Sequence, residues 1–398
     1  MFQRVFPKWA LAFVVLIGTF LWGSVASAYP WMIRHEYTGC SQCHVDPAGA
    51  GLLTLYGRAQ SEVLLRTHYG TQEGEENPEL GGFMFGLVKL PEQGVRAQVD
   101  GRTLLLHTKP PNAPAVNRLI IMQADAQAGV ELEHWRASAS VGYIHEGAQA
   151  ASITRGDNDR LISRQYWVGG SFGKDDEFMV RGGRMNLPYG LRMYEHTLWV
   201  RSATKTDIND GQQHGVSFAY TGEKARAEIM AVAGNFQMRP DDVRERGYSA
   251  YGELVLSPRA TVGVSSMILH TDYDLVERES SFRQAHGIFA RASPAKPVVI
   301  LAEADWLIKN PKSSVMQTGP AAMLQVDVEP VQGVHVMATG ELLDQTFART
   351  APSYGAWLSS QWFFLPHVDV RVDAIWQSMD STSRIEVVSL LGQLHVFL

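Results

Sequence analysis

Two cysteines and a histidine stand together near the N-terminus, in the order Cys40-Ser41-Gln42-Cys43-His44. This is the C-x-x-C-H spacing at which c-type haem is attached. The two thiols add to the two vinyl groups of one porphyrin, and the adjacent imidazole reaches the iron from one face. Cys40 and Cys43 are the only cysteines in the chain. The motif therefore predicts one covalently bound haem c, with His44 as the proximal iron ligand.

Two other uses of a cysteine pair were weighed against this interpretation. A dithiol redox pair is expected beside a βαβ unit, and the sequence around Cys40 shows none. A structural zinc site needs four ligands, and the chain has no second cysteine pair. Haem attachment explains the motif better than either.

The residues that precede the motif predict export. Residues 1–28 have the parts of a signal peptide, with Arg4 and Lys8 before an apolar run and Ala26-Ser27-Ala28 as the cleavage site. An uncleaved anchor is less favoured because the apolar run is shorter than the roughly 20 residues that span a bilayer. Covalent haem attachment also takes place outside the cytoplasm, so the two predictions agree. No later stretch resembles a transmembrane helix.

The second axial position of the iron can be filled by histidine, methionine or water. His68 ranks first, because it ends a short helix predicted over 55–68 and enough chain separates it from His44 to reach the other face. His35 ranks second and Met32 third, since both lie close before the motif. A loop residue further along, His196, is a fourth candidate.

From residue 95 onward the sequence alternates between apolar and polar residues. The clearest case is 368–374, where Asp369, Arg371 and Asp373 alternate with valines. Period-two alternation indicates strands with one polar and one apolar face. About sixteen such strands of roughly ten residues follow one another, a length that suits a tilted membrane-spanning strand. Short and long connections alternate, as in outer-membrane barrels with short periplasmic turns and long external loops.

These observations predict an all-β fold, a transmembrane antiparallel β-barrel of about sixteen strands whose N-terminal haem c segment plugs the periplasmic side. The predicted division is 1–28 for the signal peptide, 29–82 for a monohaem cytochrome c-like segment and 83–398 for the barrel. A soluble sandwich would rarely run to sixteen strands, and a solenoid would show a sequence repeat, which is absent. Five tryptophans near predicted strand ends suggest an interfacial girdle: Trp135, Trp167, Trp306, Trp357 and Trp376.

A haem motif followed by a whole-chain barrel resembles the fused monohaem cytochrome–porins of the bacterial outer membrane. That family includes the outer-membrane cytochromes of iron-oxidising bacteria. The resemblance implies electron transfer across the outer membrane through a haem held by Cys40 and Cys43, with His44 as the proximal ligand. It also implies contact with outer-membrane lipid, a periplasmic electron carrier such as a soluble cytochrome, and an extracellular redox partner. An enzyme activity would follow only if the chain oxidises an external donor such as Fe(II).

Two further functions stay open at this level. One is a passive porin whose haem segment is a structural plug or a sensor, and the other is a periplasmic protein that docks a multihaem cytochrome. The mild net charge of −6 and the lack of a basic block exclude nucleic acid as a partner. The sequence shows no Ser-His-Asp arrangement and no metalloenzyme motif, so it does not predict a hydrolase.

The longest connection, 187–212, is the third external loop of the predicted barrel. In general porins the third loop folds inward and narrows the channel, and this one is similar in order and length. Folded inward, it would bring Arg192, His196, Arg201 and His214 towards the haem or its propionates. The alternative is a solvated surface loop with scattered charges.

Overall fold

The computed structural model of the protein describes residues 29–49, 51–68, 82–91, 94–111, 113–143, 161–193, 195, 197–208, 211–238, 241–275, 277–344, 352–380 and 384–398. The predicted signal peptide and His196 lie outside these residues. None of the helices in the described ranges is long and apolar enough to cross a membrane.

Strands make up most of the described chain and form one closed antiparallel sheet. They are β1 (Gly94–Lys109), β2 (Val116–Glu131), β3 (Trp135–Tyr143), β4 (Leu161–Ile162), β5 (Tyr166–Phe172), β6 (Phe178–Met185), β7 (Gln213–Thr221), β8 (Ala225–Gly234), β9 (Arg246–Ser257), β10 (Ala260–Thr271), β11 (Ser281–Ala295), β12 (Val298–Pro311), β13 (Gln317–Val331), β14 (Val334–Leu343), β15 (Ser353–Leu365), β16 (Val368–Met379) and β17 (Ile385–Phe397).

Closure of the barrel comes from the pairing of β17 with β1. Both β4 and β5 pair with β3, so these two pieces occupy a single position. The seventeen named strands of the described chain therefore fill sixteen positions around the barrel. This confirms the predicted barrel of about sixteen strands.

The alternation of side chains is that of a barrel with a polar lumen and an apolar exterior. Asp369 is fully buried and Arg371 is 3% exposed, whereas Val372 on the other face of β16 is 57% exposed. On β13, Leu324 faces outward and Gln325 faces inward in the same way. A soluble protein would bury the apolar face, so this reversed pattern suits contact with lipid.

The tryptophan girdle is only partly as predicted. Trp135, Trp306 and Trp376 are exposed on the outer face, but Trp167 and Trp357 point into the lumen. Trp167 packs under the Arg181 guanidinium at 5.1 Å. The prediction was wrong for these two because strand parity, and not position near a strand end, decides which face a side chain occupies.

The N-terminal segment, 29–68, lies inside the barrel. It contains a 3-10 helix (Pro30–His35) and an α-helix (Leu55–Gln60) that continues as a π-helix (Ser61–Leu65), which confirms the predicted short helix. Thr67 N donates to Phe363 O at 2.8 Å, and Arg259, in the β9–β10 turn, pairs with Glu36 at 3.0 Å. These contacts are with strand ends that short turns connect. Short turns lie on the periplasmic side of outer-membrane barrels.

The third long connection folds into the lumen, as the inward alternative predicted. The Tyr189 hydroxyl donates to Asp305 Oδ1 at 2.7 Å, and Leu191 N donates to Glu303 Oε2 at 2.9 Å. Its short helix (Trp199–Thr204) begins with Trp199 N donating to Glu341 Oε2 at 2.6 Å. The loop thus crosses from β6 to β12 and β14 on the far wall. The remaining short helix, Asp241–Val243, lies before β9.

Candidate haem site

The C-x-x-C-H motif forms a single helical turn. Cys43 N and His44 N both donate to Cys40 O, at 3.2 and 3.0 Å. His44 Nδ1 lies 3.2 Å from Gly51 O. Because a carbonyl oxygen only accepts, Nδ1 carries the proton and Nε2 keeps the lone pair that a metal requires. A proximal haem ligand needs this arrangement of its two ring nitrogens.

The helix Leu55–Gln60 holds the backbone of the motif in place. The Thr54 hydroxyl donates to Gln42 O at 2.7 Å and accepts from Gly57 N at 3.0 Å, while Thr54 N donates to Cys43 O at 2.9 Å. Thr54 is therefore both the N-cap of the helix and a clamp on the motif. Gly57 makes this close approach possible, since a Cβ there would lie 2.1 Å from Cys43 O.

Beside the motif lies a cavity that is partly open to the lumen. Three parts of the chain enclose it, namely the N-terminal segment, the barrel wall and the inward loop. Residues that line it include Met32, Cys43, His44, Gln98, Asp100, Arg102, Arg164, Arg192, Met193, His395 and Phe397. The cavity joins Cys43 and His44 to a polar lumen wall, whereas Cys40 is not in its described lining.

Cationic side chains surround the motif. Burial raises the pKa of the Cys40 thiol, against the charges of Arg291, Arg192 and Arg226, which lower it. Arg192 also lines the cavity, and its buried Nη2 has no hydrogen-bond partner among the described residues. A guanidinium with an unmatched donor suits a carboxylate, which is the group that haem propionates would present.

The distal candidates lie in different places. Met32 lines the cavity and is 3% exposed. His35 lines a separate recess, where its Nε2 lies 3.8 Å from Glu329. His68 Nε2 lies 3.0 Å from Val63 O, to which it donates. His35 and His68 are not among the described residues that line the cavity.

Of the suggested side chains that the structure describes, Arg192 lines the cavity. Arg201 forms a buried ion pair with Glu303. His214 contacts the Tyr166 hydroxyl and stacks on Phe236 with ring centroids 4.4 Å apart. Neither of the latter two is in the described lining. The loop therefore narrows the lumen while bringing one cation to the cavity.

Sequence reasoning missed two cavity residues in the last strand, His395 and Phe397. Period-two alternation in β17 places both on the inward face, and this was the available signal. In the part of the chain that the structure describes, no group of three or more His, Cys, Asp or Glu side chains could hold a metal ion. Haem iron does not need such a group, because the porphyrin nitrogens supply most of its ligands. Among the lining residues, Cys43, His44 and Arg192 have the chemistry that a covalently bound haem would need.

Comparison with known proteins gives a fold and no closer relationship. The chain matches no protein-family model and no curated protein. It is similar in structure to the anion-selective porin from Comamonas acidovorans, with a TM-score of 0.59 and 10% identity over 76% of this chain and 99% of the porin. OmpT of Vibrio cholerae gives a TM-score of 0.57 with 9% identity, over 77% and 100% of the two chains. Salmonella typhi OmpF gives 0.53 with 10% identity, over 78% and 100%. The chain therefore has the closed antiparallel barrel fold of outer-membrane porins.

Proposed function

We propose that this protein transfers electrons across the bacterial outer membrane by means of one haem c attached to Cys40 and Cys43. The observation that carries the proposal is the position of the motif, on one turn beside a cavity inside a porin-like barrel. Bound haem would supply a one-electron Fe(III)/Fe(II) couple. Attachment residues in a barrel lumen have no evident use in simple diffusion.

The residues of the chain would hold and tune that group. The hydrogen bond from His44 Nδ1 to Gly51 O raises the basicity of the ring and fixes its orientation. Arg192 offers a donor to a propionate. The N-terminal segment and the inward loop limit access of water from the two ends of the lumen. Burial and hydrogen bonding of this kind are among the means by which a protein sets a redox potential.

Partners follow from the geometry of the barrel. The apolar band of a barrel is about 25 Å tall, which is longer than one haem. The proposal therefore requires one additional redox partner on each side of the membrane. An external donor such as Fe(II) would approach through the long-loop end, and a soluble periplasmic carrier would meet the N-terminal segment at the short-turn end.

A passive porin is the second candidate, and the similarity to porins favours it. The inserted N-terminal segment favours the first candidate, since it occupies lumen that a passive channel leaves open. The candidates differ in ion conductance. The electron-transfer proposal expects low conductance in a planar bilayer, whereas a passive porin would show large stable steps.

The decisive experiment uses purified protein in liposomes that contain a soluble cytochrome c and face a membrane-impermeant reductant. Wild-type protein is expected to reduce the enclosed cytochrome, and the Cys40→Ala, Cys43→Ala variant to lose this activity. The variant should keep heat-modifiable gel migration, which shows that its barrel folds. Covalent haem in the wild type should also survive acid–acetone extraction. Equal reduction rates in both proteins, or an absence of covalent haem in the wild type, would refute the proposal.

A further inference from the structure

We propose that His395, on the last strand of the barrel, is the second axial ligand of the haem iron and that Asp369 is its positioning residue. This inference rests on the proposed haem function and adds a ligand that the motif does not identify. Among the described histidines, only His44 and His395 line the cavity. His395 is 7% exposed, so its imidazole is available to the cavity and not to bulk solvent.

The pairing of the strands relates the two histidines in space. His44 forms a β-bridge with Leu53, whose N–H donates to Gln98 Oε1 of β1 at 3.0 Å. His395 pairs with Arg102, four residues further along β1. Both histidines are therefore linked to the same stretch of β1, at the seam where β17 closes the barrel.

The tautomer of His395 is set by its neighbours. His395 Nδ1 lies 3.0 Å from Asp369 Oδ2, and Gln361 Nε2 donates to the other oxygen of that carboxylate at 2.9 Å. A carboxylate accepts, so Nδ1 carries the proton and Nε2 keeps a lone pair. The Phe397 ring stacks on the imidazole with centroids 5.0 Å apart. Carboxylate-bound, oriented imidazoles of this kind are typical of metal ligands.

Other buried histidines of the barrel do not combine a carboxylate-bound Nδ1 with a place in the cavity lining. His367 has Nδ1 at 3.1 Å from Ser61 Oγ and Nε2 at 3.0 Å from Glu62 Oε1, so both nitrogens are engaged. His335 bonds Asp327 through Nδ1 and packs on Trp31 at 4.1 Å, outside the described lining. Met32 is the remaining competitor because it lines the cavity. The oriented imidazole favours His395 over the thioether.

A ligand from β17 would join the two ends of the chain at one iron. The proximal ligand belongs to the N-terminal segment, and the distal ligand to the barrel wall. Insertion of the segment into the barrel would then be required for six-coordinate iron. Two imidazole ligands would also give a lower midpoint potential than a His/Met pair.

The test uses full-length protein in detergent at pH 7.5, with variants His395→Ala, His395→Met, Met32→Leu and the matched buried control His214→Gln, which is outside the described lining. The readouts are low-temperature optical and EPR spectra and the midpoint potential. His395→Ala is expected to lose the low-spin six-coordinate signal and to regain it with added imidazole. His395→Met is expected to raise the potential. Met32→Leu and His214→Gln should keep the wild-type spectrum.

A low-spin wild-type spectrum in His395→Ala, or its loss in Met32→Leu, would overturn the inference. Haem staining of denatured gels keeps this result distinct from failure of the proposed function, because that failure would leave the wild type without covalent haem. If His395→Ala does not show a folded barrel on gels, Asp369→Asn is the second variant. It should keep six-coordinate iron with a raised potential, since the distal imidazole would lose its carboxylate partner. An unchanged potential in Asp369→Asn would count against the inference.

Discussion

Arg181 on β6 lies between Asp46 of the N-terminal segment and Glu228 of β8, with its Nη1 2.5 Å from Asp46 Oδ1 and its Nη2 2.5 Å from Glu228 Oε1. All three side chains are almost completely buried. Asp46 is two residues from His44 in the chain. This ion-pair triad therefore attaches the motif to the barrel wall.

Replacement of Asp46 by Asn should loosen the segment without opening the barrel. Removal of one partner from a buried ion pair costs about 3 to 5 kcal/mol, and the low end applies here because Glu228 still faces Arg181. We expect faster proteolysis of the segment while the barrel keeps its heat-modifiable migration. The control Asp176→Asn removes a partly exposed acid in a turn and should change little. Equal proteolysis rates in the two variants would contradict the role of the triad.

The fit between Gly57 and Cys43 predicts that haem loading depends on a residue outside the motif. Gly57→Ala places a Cβ 2.1 Å from Cys43 O, so the motif or the helix must shift. We expect covalent haem per mole of protein to fall severalfold. Gly340→Ala is the matched control, because a Cβ there meets nothing within 4 Å. Similar loading in both variants would show that the close packing is not needed for attachment.

The Thr54 hydroxyl offers a milder test of the same support. Thr54→Val removes its bonds to Gln42 O and Gly57 N, each worth about 1 kcal/mol. Thr54→Ser keeps both and should behave like the wild type. The measurement is the denaturant midpoint at which the haem spectrum changes. A valine variant as stable as the wild type would show that these two hydrogen bonds do not hold the motif in place.

Acid should release the segment through Glu62 and His367. Burial opposes ionisation of Glu62, but hydrogen bonds from His367 and Gly82 and the charge of Arg58 hold its pKa below the ordinary value of 4.5. The stability from this carboxylate is present above 4.5 and is lost as the pH falls through the lowered pKa. Burial also lowers the pKa of His367 below 6.5, although Glu62 opposes this change. As the pH falls, this histidine therefore binds a proton at a higher pH in the unfolded chain than in the folded chain. The free energy of unfolding decreases as the pH drops below 6.5.

Both shifts therefore have the same sign, and acidification should weaken the docking of the segment in two stages. The measurement is the rate of segment proteolysis by an acid-tolerant protease between pH 7.5 and 4. His367→Gln should remove the stage that begins near pH 6.5, whereas Glu62→Gln should remove the lower one. A flat profile in the wild type would exclude this pair as the acid-sensitive contact.

Cysteine labelling in intact cells can test the orientation of the barrel in the membrane. Val315 lies in the connection between β12 and β13 and is 65% exposed, while Lys174 lies in a short turn. We expect an impermeant maleimide to label Val315→Cys and not Lys174→Cys until the cells are lysed. The buried variant Ser217→Cys should stay unlabelled in both conditions. Asn112 lies outside the described residues, and Asn310 is the penultimate residue of β12. Labelling of Lys174→Cys in intact cells would reverse the orientation.

The sequence by itself determined the features that depend on local spacing. Cys40, Cys43 and His44 lie within one helical turn, so no folding information is needed to see that they can act together. The barrel was equally predictable, because the side chains of each strand alternate between a polar and an apolar face with a period of two residues. Asp369 and Arg371 face the lumen for this reason.

Only the tertiary structure decided which distant residues share the cavity beside the motif. His395 and His44 lie near opposite ends of the chain, and both line this cavity because β17 closes onto β1 and the N-terminal segment inserts beside that seam. Chain length alone favours His68 and His35, because it shows which residues can reach the iron but not where the fold places them. Closure register and the path of an inserted segment are set by the whole barrel, so no local pattern encodes them.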